Sequence, residues 1–260
     1  MPPAAFPLQP ARFMIRFTRF SNFFAFSAAC CLAGLFTSQA VALPSWDGPT
    51  QKGSIKTAVI GIADFDGDGI NDFVDATKRN PTWYKGPLFN SSYTVGVGDG
   101  TAYGAGVADF NNDGWPDIVF TDGARDNGPG ELFLYLHPGN ASAATGTWQR
   151  ITIYSIDVYH QNDLTIADMD GDGRLDVIVR TRSPENRVVI AFQNANINNW
   201  TVRTFATGET LKWPEGIAVG DIDGDGGMEM VLSGVYWDNP NGWRSGSPKE
   251  YMIDPIFVGE

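Results

Sequence analysis

Cysteine is nearly missing from this chain of 260 residues: there are two, the adjacent Cys30 and Cys31. Both fall in an N-terminal segment unlike the rest, so the remainder contains none and disulfides cannot brace it. An exported domain without disulfides needs another cross-link, and bound metal is the usual substitute. Basic residues are scarce as well, 18 Lys and Arg against 30 Asp and Glu, for a net charge of −12. That balance excludes a nucleic-acid binder, which needs a basic footprint. Histidine occurs twice, at His137 and His160, and charged residues supply only 18% of the chain. The longest apolar run, FFAFSAACCLAGLF (Phe23–Phe36), is short of the roughly 20 residues a membrane-spanning helix requires.

What is abundant points to strands and turns. There are 30 glycines and 16 prolines, with 43% hydrophobic and 13% aromatic residues. This is enough apolar material for one core, and a turn-rich, aromatic, modestly charged composition predicts an all-β protein. At the N-terminus, Arg12, Arg16 and Arg19 precede the apolar run, and S-Q-A-V-A follows it. This is the pattern of a secretory signal peptide over residues 1–42, with cleavage after Ala42 because Ala40 and Ala42 fit the A-x-A rule. Met14 is an alternative start, and an uncleaved N-terminal anchor is the competing reading. The predicted mature domain is 43–260, secreted and extracellular. Removing the three arginines of the leader brings it to a charge near −15.

The acidic residues are gathered in a repeat. IADFDGDGINDFV from Ile62 returns as VADFNNDGWPDIVF from Val107, IADMDGDGRLDVIV from Ile166 and VGDIDGDGGMEMVL from Val219. The first aspartates, Asp64, Asp109, Asp168 and Asp221, are 45, 59 and 53 residues apart. Every copy obeys D-x-[DN]-x-D-G-x-x-[DE] and lies between runs that alternate like strands. Further β-like runs follow, such as ELFLYLH and RVVIAF, and Trp148 and Trp200 open the last strand of their units. Units of 40–50 residues with four short antiparallel strands predict β-propeller blades; a β-solenoid, the competing architecture, has shorter repeats. The segment after Gly234, beginning VYWDNP, reads as the start of a further blade, so the four complete loops are read as part of a truncated larger propeller, with a self-contained four- or five-bladed one as the alternative.

Oxygen donors without His or Cys select a hard cation. Positions 1, 3 and 5 offer side-chain oxygens, glycine at 6 permits a sharp turn, position 7 offers its carbonyl, and the acid at 9 closes the site as a bidentate carboxylate. Loop 1 thus predicts Asp64, Asp66, Asp68, Ile70 and Asp72 as ligands. Loop 2 predicts Asp109, Asn111, Asp113, Trp115 and Asp117. Loop 3 predicts Asp168, Asp170, Asp172, Arg174 and Asp176, and loop 4 predicts Asp221, Asp223, Asp225, Gly227 and Glu229. The order resembles the first half of an EF-hand, but the closing acid comes at 9 instead of 12 and the flanks are not helical. Magnesium prefers fewer carboxylates and strict octahedral geometry, which favours about four structural Ca²⁺. Two carboxylates about 4 Å apart repel by roughly 4 kcal/mol at an effective dielectric of 20, and each loop holds several such pairs. Four Ca²⁺ would move the mature charge from about −15 to about −7.

These loops resemble the FG-GAP and VCBS repeats, the calcium-loop blades of integrin α-chain heads and of many secreted bacterial and fungal proteins. The resemblance spans most of residues 55–240. It implies a propeller in which calcium rigidifies one turn per blade, and a binding or adhesion module toward glycans or another extracellular partner. It equally accommodates a carbohydrate-active enzyme, such as a polysaccharide lyase, on the same scaffold. Calcium in such loops is structural, so catalysis would rest on other residues: Tyr103, His160, Asp163, Trp213 or Glu215 before the loop strands, with Arg182, Arg187 or Lys212 as cationic neutraliser. For sugar binding, Trp83, Tyr84, Trp213, Tyr236, Trp237 and Trp243 lie near turns rich in Asn, Gly and Pro, though Trp is also a common core residue. N-x-S/T sequons occur at Asn90, Asn140 and Asn199.

Overall fold

The structure, a computed structural model, describes residues 60–75, 80–97, 104–123, 129–140, 146–157, 159–183, 186–206, 216–232 and 234–253. All described residues belong to one compact unit, Lys52–Glu260. The predicted leader 1–42 and its cleavage point lie outside the described residues, as do Tyr103, Lys212, Trp213 and Glu215.

Among the described residues every regular element is a strand, and sixteen strands form four four-stranded antiparallel sheets in simple meander order. Blade 1 contains β1 (Ile60–Ala63), β2 (Asp72–Asp75), β3 (Thr82–Tyr84) and β4 (Ser92–Thr94). Blade 2 contains β5 (Ala105–Ala108), β6 (Asp117–Gly123), β7 (Gly130–Leu136) and β8 (Gln149–Ile156). Blade 3 contains β9 (Tyr159–Ala167), β10 (Asp176–Ser183), β11 (Arg187–Gln193) and β12 (Trp200–Ala206). Blade 4 contains β13 (Ala218–Gly220), β14 (Glu229–Leu232), β15 (Val235–Asp238) and β16 (Lys249–Met252). The first strands pack in series, β1 on β5, β5 on β9 and β9 on β13. At the first of these contacts a Cβ on Gly61 would lie 2.3 Å from Val107 Cγ2, so only glycine allows β1 that close to β5.

The segment after Gly234 is not the start of a further blade. Val235–Asp238 and Lys249–Met252 are the third and fourth strands of blade 4. The W-D-N-P echo of W-Y-K-G-P has this origin: Trp237 and Trp83 occupy the third strands of their sheets.

The cores lie between blades. Phe65, Val74 and Trp83 of blade 1 pack with Ile118, Phe120, Phe133 and Tyr135 of blade 2. Phe110, Val119 and Leu134 of blade 2 meet Val177, Val179 and Val189 of blade 3. Met169, Ile178 and Ile190 of blade 3 meet Met230, Leu232, Trp237 and Trp243 of blade 4. Blades 2 and 3 are therefore covered on both faces, which is why their second strands read as continuous apolar runs, DIVF and DVIV, in place of alternation. Phe65, Phe110 and Met169, at position 2 of their loops, each plug the seam to the following blade and are at most 3% exposed. Each such burial contributes about 2 kcal/mol. The equivalent Ile222 of loop 4 is 48% exposed, with no blade described beyond it.

Candidate metal loops

Each acidic segment closes the turn between the first and second strands of its blade. The residue before the loop pairs with position 9 in all four, as Ala63↔Asp72, Ala108↔Asp117, Ala167↔Asp176 and Gly220↔Glu229. The aspartate at position 1 folds the turn by accepting backbone N–H groups with both oxygens. In loops 1–3 its Oδ1 accepts from position 5 at 3.1 Å and its Oδ2 from position 6 at 2.8 Å. Asp221 accepts from Gly224 and Gly226 at 2.7 and 3.2 Å. Position 5 then accepts the N–H of position 7, that of Ile70, Trp115, Arg174 or Gly227, at 2.7–2.9 Å. This winding needs left-handed backbone at positions 4 and 6, found at Gly67 and Gly69, Asn112 and Gly114, Gly171 and Gly173, and Gly224 and Gly226. The sequence template marked glycine at 6; the requirement at 4 is visible in it only as G, N, G, G, the residues that tolerate positive φ.

The acid at position 9 makes backbone contacts beside the ligand role expected of it. Both oxygens of Asp72 already accept backbone N–H groups, from Phe65 and Gly86, each at 2.8 Å. Asp117 accepts from Phe110 at 2.9 Å and His137 at 2.8 Å, and Asp176 from Met169 and Gln193, both at 2.9 Å. Glu229, one methylene longer, accepts from Ile222 at 2.6 Å. In loops 1–3 the closing acid therefore ties its loop to the end of the third strand, and only its remaining lone pairs are left for a cation. All four are buried. Burial raises the pKa of Asp72, and pushes Asp117 up to about 6 and Asp176 up to about 7, against the lowering effect of the two N–H donors on each. Neighbouring loop carboxylates add to the rise.

A second set of contacts was not foreseen from sequence. His137, just past β7, reaches the preceding loop with Nε2 on the Phe65 carbonyl at 2.9 Å, while its Nδ1 accepts from Gly139 N–H at 3.0 Å. Its ring stacks on Trp115 at 4.6 Å and meets Trp148 edge-on at 4.7 Å, and burial lowers its pKa. Gln193 makes the equivalent reach one blade later, donating Nε2–H to the Phe110 carbonyl at 3.0 Å. The side chain at the end of the third strand thus fastens the loop of the preceding blade, loop 1 through His137 and loop 2 through Gln193. The signal available in sequence was the single polar residue that ends each apolar run, ELFLYLH and RVVIAFQ.

The donor set suits a hard cation. Carboxylate oxygens of Asp64, Asp66 and Asp72 lie within 4.8 Å of one another, as do those of Asp168, Asp170 and Asp176, and of Asp221, Asp223 and Asp225. Asp66 Oδ1 is buried without a hydrogen-bond partner, a costly arrangement that a cation would relieve. In loop 2, Asn111 replaces one carboxylate, leaving Asp109, Asp113 and Asp117 with an amide.

A family model described as FG-GAP-like repeat matches residues 64–120, 109–179 and 168–232, each match running from one loop into the next. The chain belongs to the FG-GAP-like repeat family. No curated protein matches it significantly. Among solved structures, one similar chain comes from work entitled "Structural basis of specific recognition of non-reducing terminal N-acetylglucosamine by an Agrocybe aegerita lection". It is 17% identical with a TM-score of 0.45, and the match covers 74% of this chain and 51% of that one. The FG-GAP-like chain therefore spans about half the length of that structure.

Other residues singled out in this FG-GAP-like sequence are placed differently from expectation. Trp83, Trp237 and Trp243 are 0%, 4% and 2% exposed, inside the seams between blades, so they cannot stack on a sugar. Trp83 and Trp237 pack there because a third-strand side chain facing a neighbouring blade leaves water completely; Trp243 reaches the seam from the connection between β15 and β16. Trp148 and Trp200 take the structural role expected of them at the start of fourth strands. Tyr84 and Tyr236 remain half-buried, stacked on Phe73 at 4.7 Å and on Tyr251 at 4.8 Å. His160 and Asp163 lie within β9 and do not precede it; Asp163 accepts the Gly216 N–H at 2.8 Å, and the side chains of His160 and Arg182 lie outside the described residues.

Proposed function

We propose that this FG-GAP-like chain is an exported, calcium-stabilised binding module, directed to a glycan or another extracellular partner. The carrying observation is the loop architecture repeated four times, in which carboxylates gather at positions 1, 3 and 9 of loops 1 and 3 and at positions 1, 3 and 5 of loop 4, with Asn111 replacing one acid in loop 2. Calcium would be held by those groups, with the position 7 carbonyls of Ile70, Trp115, Arg174 and Gly227 and the free lone pairs at position 9 completing the set. Bound there, the ion neutralises the clustered charge and stiffens the first hairpin of every blade. Loops so occupied leave recognition to other surfaces. The best-supplied surface is on blade 1, where Phe73 contacts both Tyr84 and, at 5.1 Å, Phe89. Leu88 and Phe89 are 76% and 37% exposed beside Asn90, Ser91 and Ser92. Aromatic faces next to amide and hydroxyl groups suit a saccharide ring.

The test is a glycan array probed with the calcium-loaded chain, repeated with Tyr84→Ala and Phe89→Ala. A defined saccharide class is expected to bind, and each variant to lose about tenfold in affinity, the value of one lost aromatic contact. Failure to bind any glycan or extracellular-matrix protein, or binding unaffected by both variants, overturns this reading.

A further inference from the structure

The four loops share a backbone but differ in what bridges positions 3 and 5. In loop 1 the bridge is Lys85, whose ammonium contacts Asp66 and lies 2.6 Å from Asp68 Oδ2. In loop 2 it is a neutral group within the loop, Asn111 Nδ2–H donating to Asp113 at 2.9 Å. In loop 3 it is Arg244, which arrives from blade 4, between β15 and β16. Its Nε–H meets Asp170 and its Nη2 lies 3.2 Å from Asp172. Arg174 contacts Asp172 as well. In loop 4, among the described residues, no lysine or arginine pairs with Asp223 or Asp225.

Arg244 is held in place by more than charge. It donates to the Asn194 side chain at 2.9 Å and to the Gln193 carbonyl at 3.0 Å, and its guanidinium lies 5.1 Å from the Phe192 ring centre. A guanidinium fixed on several sides loses little entropy in keeping its carboxylates. The side chains of Asp170 and Asp66 are 9% and 12% exposed, so in both loops the contact at position 3 is better shielded from salt than the one at position 5.

We infer that Lys85 and Arg244 are tethered counter-cations that grade calcium affinity across the four loops. The inference rests on the loops being calcium sites. Counting carboxylates and contacting cations, loop 4 keeps −4, loops 1 and 2 keep −3, and loop 3, with Arg174 and Arg244, keeps −2. Positions 3 and 5 are the groups a bound ion needs, so calcium must displace the tethered cation or share its oxygens. Loop 4 is the tightest site and depends most on metal. Loop 3 is the weakest, and Arg244 keeps blades 3 and 4 joined there without it.

The experiment is calorimetric titration of the metal-stripped full chain with CaCl₂, for the native sequence, Arg244→Gln and Lys85→Met. The native chain is expected to show at least two affinity classes. Arg244→Gln should tighten the weakest class roughly ten- to a hundredfold, since one positive charge a few Å from the ion is removed. Lys85→Met should tighten a different class. Lys85 lies in another blade, so it carries the test if Arg244→Gln fails to fold. Folded variants whose isotherms superimpose on the native one, or that bind calcium more weakly, overturn the inference alone. No calcium uptake by the native chain overturns it together with the metal reading.

Discussion

Replacing Asp176 by alanine is expected to destabilise the chain by about 2–6 kcal/mol even in calcium-depleted buffer, because two buried N–H donors lose their acceptor at about 1–3 kcal/mol each. Those donors belong to Met169, which plugs the seam between blades 3 and 4, and to Gln193, which fastens the loop of blade 2. One substitution therefore loosens two seams. Asp117→Ala should behave alike, through Phe110 and His137. Asp223→Ala is the control: it is exposed and accepts one N–H, that of Asp225 at 3.2 Å, so its loss without calcium should stay below about 1 kcal/mol. Urea denaturation measures the three. Equal, small effects at positions 3 and 9 would mean that the closing acid is only a ligand.

Calcium removal is expected to have the second large effect. An ion held at about a hundred times its dissociation constant stabilises by about 2.7 kcal/mol. For a chain of this size that is roughly 5–10 °C of melting temperature per site. The increment should also depend on pH. Asp117 and Asp176 titrate in the metal-free fold at about 6 and about 7, above the roughly 3.9 of an unfolded aspartate. Stability from these raised groups is present below that unfolded value and is lost as pH rises through about 6 and 7. His137 has the opposite sign: its lowered pKa removes stability as pH falls below the unfolded value of about 6.5. Calcium needs deprotonated carboxylates, so the gap between calcium-loaded and calcium-depleted melting temperatures should widen from pH 5 to pH 8. A constant gap would contradict carboxylate ligation at position 9.

Much of this was readable in the sequence because the repeat is written in chemistry that tolerates few substitutes. Carboxylates at fixed spacing and glycine at position 6 mark a turn that must wind tightly around oxygen atoms. Apolar runs such as DIVF mark strands covered on both faces. Trp83, Trp237 and Trp243 could not be placed that way, since proximity to a turn does not say which face of the sheet a side chain takes; the third-strand register turns Trp83 and Trp237 into the seams, and Trp243 enters its seam from the connection between β15 and β16. The dual role of Asp72, Asp117 and Asp176 was hidden because a ligand and a backbone acceptor call for the same residue. Lys85 and Arg244 were hidden for another reason. Lys85 lies in a different hairpin from its loop, and Arg244 reaches Asp170 across 74 positions and from a neighbouring blade.

The central claim is that the four acidic turns are calcium sites that hold the blades. Anomalous diffraction from crystals grown in saturating calcium tests it most directly. A peak is expected inside each loop, among the side-chain oxygens of positions 1, 3 and 5, with the strongest in loop 4 and the weakest in loop 3. Loops without anomalous density, with Lys85 and Arg244 still bridging their aspartates and the loop 4 carboxylates open to solvent, would contradict it.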